Sequence, residues 1–208
     1  MKDRQWLEWA QQLQAIAQNG LAYCKNDFDI ERYHQLRVIA AQIMATGFDF
    51  DPSHVLEEFS SQVGYATPKV DVRAAVFESD KILLVQEKED GCWTLPGGWA
   101  DIGVSAGECV VKEVFEESGY HVRATKILGV YDRNHTRHGY PPLVHHVYKL
   151  CFQCELIGGI PTKSIETTDV AFFGEQEIPQ LSLTRIVPSQ ITRIFEHYRN
   201  PNMQTDFD

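Results

Sequence analysis

Leu95-Pro-Gly-Gly-Trp-Ala-Asp-Ile-Gly-Val-Ser-Ala-Gly-Glu-Cys-Val-Val-Lys-Glu-Val-Phe-Glu-Glu-Ser-Gly-Tyr120 carries more structural information than any other segment of this 208-residue chain. Ser105-Ala-Gly-Glu108 reads as a capping box, so a helix starts there. Gly119 suits the position just past a helix end, so the helix covers about Ser105 to Ser118. Glu113, Glu116 and Glu117 then lie at i, i+3 and i+4 and share one face. Val111, Val114 and Phe115 fall on the other side and are expected to bury against a sheet.

Three carboxylates on one helical face repel one another, at a cost of a few tenths of a kcal/mol per pair (~0.2–0.5). Glu116 and Glu117 also lie toward the helix C-terminus, where the macrodipole disfavours anions. A solvated acidic face is the plain alternative. The glycines around it, in Pro96-Gly97-Gly98, Gly103 and Gly119, favour a second reading, because they let backbone approach a ligand closely. That reading is a site for a hard cation such as Mg2+ or Mn2+, which takes carboxylate, water and phosphate oxygens.

Outward from this segment the chain changes character. Residues 1–65 read as helical: Trp6, Trp9, Leu13 and Ile16 make an apolar stripe that Gly20 stops. Tyr33, Leu36, Ile39, Ala40 and Ile43 make a second, with Asp29 as N-cap and an end near Gly47. Asp51-Pro52 opens a third helix carrying Val55, Leu56 and Phe59. Three short helices must pack on each other, on the rest of the chain or on a second subunit. Beyond Thr67-Pro68, Val70, Val72, Ala74 and Val76 alternate, and a turn at Ser79-Asp80 leads to Ile82–Val85, which reads as a hairpin. A short strand at Trp93-Thr94-Leu95, strands at about 121–131, 144–156 and 169–173, and a helix at 187–198 follow. Residues 66–208 are therefore α/β or α+β in class.

A net charge of −10 argues against a nucleic-acid binder, which neutralises many phosphates with Lys and Arg. It leaves room for one small anionic substrate beside a bound cation. No apolar run is long enough for a membrane span, and no signal-peptide block follows Met1-Lys2-Asp3-Arg4, so the expected location is cytoplasmic. Cys24, Cys92, Cys109, Cys151 and Cys154 read as free thiols; Cys151 and Cys154 are expected on opposite faces of a strand. His135, His138, His145 and His146 read as solvated loop residues, with His145 and His146 on opposite faces of a strand.

The Leu95–Tyr120 segment resembles the Nudix box, Gly-x5-Glu-x7-Arg-Glu-U-x-Glu-Glu-x-Gly-U, with U a bulky apolar residue. This chain matches with Gly98, Glu113, Val114, Glu116, Glu117, Gly119 and Tyr120. It departs at Val104, in place of the first Glu, and at Lys112, in place of Arg, which keeps the charge but loses the planar fork. Lys112 is expected to pair with Glu116 or Glu108. The resemblance implies an α/β fold, a Nudix α/β/α sandwich with a mixed sheet over 66–208, preceded by the small all-helical N-terminal domain. It implies a divalent-metal-dependent hydrolase, with Gly97, Glu113, Glu116 and Glu117 holding Mg2+ or Mn2+.

The catalytic residues implied are Glu116 and Glu117, with the base left between Glu117 and Glu166, an acid in the loop Thr162–Thr168. With its N-terminal helices, the whole chain resembles the CDP-choline or ADP-ribose pyrophosphatase branch, whose members work as homodimers on small nucleotide substrates. Candidate substrate contacts are three. Trp99 packs on a base or braces its loop. Arg73 clamps a phosphate or pairs with Asp71 or Glu87. Tyr131 begins the polar loop Tyr131–Tyr140. Competing readings are an RNA 5′-end pyrophosphohydrolase and, prompted by Val104, a non-catalytic nucleotide-binding domain.

Overall fold

In a computed structural model, residues 2–208 are described, with side chains from Arg4 onward; Met1, at the head of the expected helical domain, lies outside them. The chain separates into two compact units. One is Met1–Pro68 with Pro142–His146; the other is Lys69–Pro141 with Val147–Asp208.

The first unit contains α1 (Lys2–Tyr23), α2 (Asp27–Phe48) and α3 (Pro52–Ser61). Its core is Leu7, Ala10, Ala40, Ala41, Met44, Val55 and Phe59. The α3 start follows the expected rule: Asp51 accepts from His54 N, and Pro52 takes the first turn, where its missing N–H costs nothing. Three expectations are corrected. Helix α1 runs through Gly20, because a Cβ there would lie 2.4 Å from the Tyr33 ring; the glycine serves close packing of α1 on α2. The α2 cap is Asn26, whose side chain accepts from Phe28 N and Asp29 N, so Asp29 sits inside the helix. The buried stripe of α1 is Leu7, Ala10, Gln14 and Ala17, while Trp6, Trp9 and Ile16 face outward. Small residues let the helices close together, and the tryptophans are too large for that seam.

The second unit is built on β1 (Lys69–Glu78), β2 (Lys81–Glu87), β3 (Trp93–Thr94), β4 (Tyr120–Asp132), β5 (Val147–Gly159), β6 (Thr167–Phe173) and β7 (Asp206–Phe207). The order is β3-β2-β1-β5-β4-β7, with β6 added to β2. The β1–β5 and β4–β7 pairs are parallel and the remaining pairs antiparallel, so the sheet is mixed. Helix α4 (Ala106–Ser118) covers one face and α5 (Pro188–Arg199) the other. Alternation along the strands divides the core accordingly. Val72, Ala74, Val76 and Leu83 pack with Cys109, Val110 and Val114 of α4. Ala75, Ile82 and Leu84 pack with Ile191, Ile194 and Phe195 of α5. Cys154 joins the first cluster and Cys151 the second, as strand periodicity requires of positions three apart. This is the α/β/α arrangement. Strand β5 starts at Val147, so His145 precedes the strand and pairs with Glu58 at 3.0 Å. No helix among the described residues is long and apolar enough to cross a membrane.

Candidate active site

The site begins where α4 meets the turn before it. The capping box forms in full: Ser105 Oγ accepts from Glu108 N, and Glu108 accepts from Ser105 N at 2.9 Å. Gly119 closes the helix in the left-handed conformation. The loop 160–166 then crosses the helix end, where Thr167 Oγ1 donates to Glu117 O and Thr162 N to Ser118 O, satisfying carbonyls a helix end leaves unpaired.

Residues Pro96–Ala100 run beside β1. Ala74 N donates to Pro96 O, Val72 N to Gly98 O and Ala100 N to Val70 O. Gly97 falls between two of these contacts, at φ 137°, and a Cβ there would sit 2.0 Å from Val72 O. Only glycine fits. Its N–H donates to Glu117 Oε2 at 2.8 Å. A Cβ on Gly98 would lie 3.2 Å from Glu113 Oε2, so the double glycine lets the backbone lie directly against two carboxyls.

Glu117 is buried, and burial pushes its carboxyl up to about 8, against the opposing pull of Arg73 and the Gly97 N–H. Burial also raises Glu113, with Glu116 adding to the effect. Glu116 is exposed and lies 3.6 Å from Lys112, which also reaches Asp101 at 2.7 Å. Glu108 is engaged in its cap, so of the two expected Lys112 partners only Glu116 is met. Val104 is exposed. Phe115 is exposed too, contrary to expectation: one residue past Val114 it is rotated about 100° from the buried stripe, and it stacks on His121 with centroids 4.7 Å apart.

The remaining predicted residues divide. Glu166 is exposed in the loop over the α4 end, and its charge adds to the upward shifts of Glu113 and Glu87. Trp99 is half-exposed, bridges Asp71 through the backbone and has Lys69 Nζ 5.9 Å from its ring. Arg73 is buried, and its guanidinium makes a fork on Asp71 at 3.0 and 2.8 Å and a third bond to Leu95 O. Of its open alternatives, the pair with Asp71 is the one formed. Tyr131 lies in β4 rather than in a loop, is buried and donates to Asp206 at 3.2 Å, so it faces the core.

Two groups were not foreseen. Glu87 is buried at the end of β2, with Arg185 Nε 3.1 Å away, and burial raises its pKa. It shares strand parity with buried Leu83, and a charge at a buried parity was the readable signal. Lys149 is buried with Nζ 2.6 Å from Asp71, beside Arg73. Burial lowers its pKa to about 8 despite Asp71. The β1–β5 register, which sets Asp71 against Lys149, is a long-range fact that one strand pattern does not contain.

The chain matches the NUDIX domain family over residues 67–193. It belongs to the Nudix family. Residues 4–59 match a UDP-X-like N-terminal oligomerisation domain. A Bacillus subtilis (strain 168) protein named "Putative ADP-ribose pyrophosphatase YjhB" is 44% identical over 203 residues, covering 98% of this chain and 97% of the relative. An ADP-ribose pyrophosphatase structure from Streptococcus suis 89-1591 is 41% identical, with a TM-score of 0.62, and covers 68% of this chain and all of that one. A UDP-X diphosphatase crystal structure is 33% identical with a TM-score of 0.64, matching both chains over their full length. This chain is thus a Nudix hydrolase.

A divalent cation is implied by the family, and the donor set fits one. Glu113 and Glu117 are neighbouring acids whose pKa burial raises, with their mutual repulsion adding to it at Glu117, and a hard dication takes carboxylate oxygens in such a setting.

A pH dependence follows from Glu117. Its folded pKa of about 8 exceeds the ordinary 4.5. The stabilisation is therefore complete below about 4.5 and is lost as pH rises toward 8. In chelator-treated protein, Glu117→Gln is expected to be progressively more stable than wild type across this window, read from urea midpoints. A pH-independent difference would show that Glu117 is not protonated in the fold.

Proposed function

We propose that this Nudix hydrolase cleaves the diphosphate bond of a nucleoside diphosphate linked to a second moiety, of the ADP-ribose, UDP-X or CDP-choline type, releasing a nucleoside monophosphate. Mg2+ or Mn2+ is the proposed cofactor. The observation that carries the reading is the buried Glu117 carboxyl, held by the Gly97 N–H beside Glu113. The names of the full-length relatives support the substrate class. An acidic chain disfavours an RNA substrate.

Glu113, Glu116 and Glu117, with the Gly97 carbonyl, would hold the ion. When bound, it offsets diphosphate charge and makes an attacking water more acidic. Glu117 is oriented before any ligand arrives, because the Gly97 N–H fixes one of its oxygens. Glu166 is solvent-open and close enough in charge to act on Glu113, so it can accept the proton of the attacking water. Trp99 offers a half-exposed ring for the base of the nucleotide. In the N-terminal unit, the outward faces of Trp6, Trp9 and Ile16, with Val38 and Ile39, offer apolar surface for a homodimer, in keeping with the oligomerisation-domain match.

Glu113→Gln and Glu117→Gln are each expected to lower kcat by about 10²–10³-fold, the scale for removing a group that stabilises transition-state charge. Glu166→Gln should lower kcat by about 10²–10⁴-fold with KM little changed, the scale for losing a general base. ADP-ribose, a UDP-sugar, CDP-choline and 5′-triphosphate RNA, assayed side by side with Mg2+ and Mn2+, separate the substrate classes. Undiminished turnover in Glu117→Gln would refute the mechanism. Trp99→Ala should raise KM for the best substrate with little change in kcat; a KM that does not move would remove Trp99 from the binding site. Sedimentation equilibrium should give twice the 23.8 kDa chain mass, and Trp6→Ala with Trp9→Ala should shift it to monomer. A wild-type monomer would sink the dimer.

A further inference from the structure

The connection after β4 holds a cluster that the diphosphatase reading leaves unused. Two short turns build it. Asn134 N and His135 N donate to Asp132 Oδ1 and Asp132 O, and His138 N donates to His135 O. These turns bring the His135 and His138 rings to 5.9 Å. A third group arrives from the other end of the sequence. Strand β7 pairs with Gly129–Val130 of β4, and Asp208 follows it, accepting from Asp132 N at 2.5 Å. His138 Nε2 then lies 3.0 and 3.2 Å from the two Asp208 oxygens, and His135 Nδ1 lies 4.0 Å from Oδ1.

One nitrogen or oxygen from each residue falls within 4.8 Å of the others. Ligands about 2.0–2.2 Å from a shared ion are separated from each other by roughly 3–4 Å, and the distances from Asp208 Oδ1 to His138 Nε2 and His135 Nδ1, 3.0 and 4.0 Å, fall in that range. The expected solvated loop histidine is corrected at His138: its side chain is 7% exposed and packs edge-on against Tyr131, with centroids 5.1 Å apart. Asp208 is nearly as covered, at 13%, whereas His135 is 46% exposed and leaves an opening to solvent. Arg137 is the resident cation. Its Nη2 lies 2.5 Å from Asp208 Oδ1 and its Nε is 3.5 Å from His138 Nε2. The Asp208 carboxylate only accepts, so the shorter contact puts a proton on His138 Nε2, and a metal would take that atom in place of the proton. Arg137 is half-exposed and can swing into water.

We propose that His135, His138 and Asp208 form a second metal site that takes a first-row transition-metal dication such as Zn2+ in exchange for the Arg137 guanidinium. Two imidazoles and one carboxylate favour Zn2+ and its neighbours over Mg2+, which prefers oxygens throughout. The site is therefore selective against the cation proposed for the acidic helix. Its ligands join the β4–β5 connection to the strand that ends the sheet, so binding should stabilise the fold rather than drive hydrolysis.

The test uses the full chain with Cys24→Ser and Cys92→Ser, to remove accessible thiols, and with excess Mg2+ throughout, to occupy the acidic helix. Titration with Zn2+ by calorimetry, and with Co2+ by its visible absorption bands, is expected to show one equivalent per chain and a raised Tm. His135→Ala and Asp208→Asn, checked for folding by circular dichroism, should each weaken binding at least about tenfold, the lower bound seen when even an outer-shell partner is removed. Arg137→Gln should tighten it. Absence of the equivalent would overturn the site. So would wild-type affinity in folded His135→Ala and Asp208→Asn, or binding abolished by Glu113→Gln instead.

Discussion

One contact organises the end of the second unit where α4 meets the double glycine: the Gly97 N–H on the Glu117 carboxyl. It requires a backbone angle and a clearance that only glycine supplies, and it draws an acid out of water. Desolvation disfavours the carboxylate, and a neutral donor recovers only part of that cost. The capping box fixes where α4 begins, and the 160–166 loop satisfies its end. Together these place Glu117 against the turn. The arrangement is poor as a structural device and sensible as a holder of positive charge.

Behind this face lies a second buried electrostatic unit, in which Asp71 is shared by Arg73 and Lys149. Burial would raise Asp71, but the two cations hold it below its ordinary value. One carboxylate between two cations leaves a positive surplus, and Arg73 passes part of that field to Glu117. Arg73 therefore influences the acid while itself buried and held by Asp71.

Local chemistry was readable from the chain alone. The Ser105–Glu108 cap, the Gly119 stop, the Asp51-Pro52 start and the opposed cysteines all depend on neighbours in sequence, and all formed. What failed depended on partners far along the chain. Gly20 looked like a stop because nothing local announces the Tyr33 ring. Tyr131 looked like a loop residue because β4 runs longer than its apolar pattern, to Asp132, and closes on Asp206. His138 looked solvated because its cover includes a residue 70 positions away. The outward tryptophans followed helical periodicity correctly, but periodicity does not say which of two stripes is the inner one.

Gly20 has a mechanical consequence. A glycine inside a helix costs up to about 1 kcal/mol relative to alanine, yet here, in the last turn of α1, it admits an aromatic ring so close that even a methyl group would collide. The two long helices are thereby drawn together near the end where they join, and any side chain at position 20 would have to displace the ring and part them there.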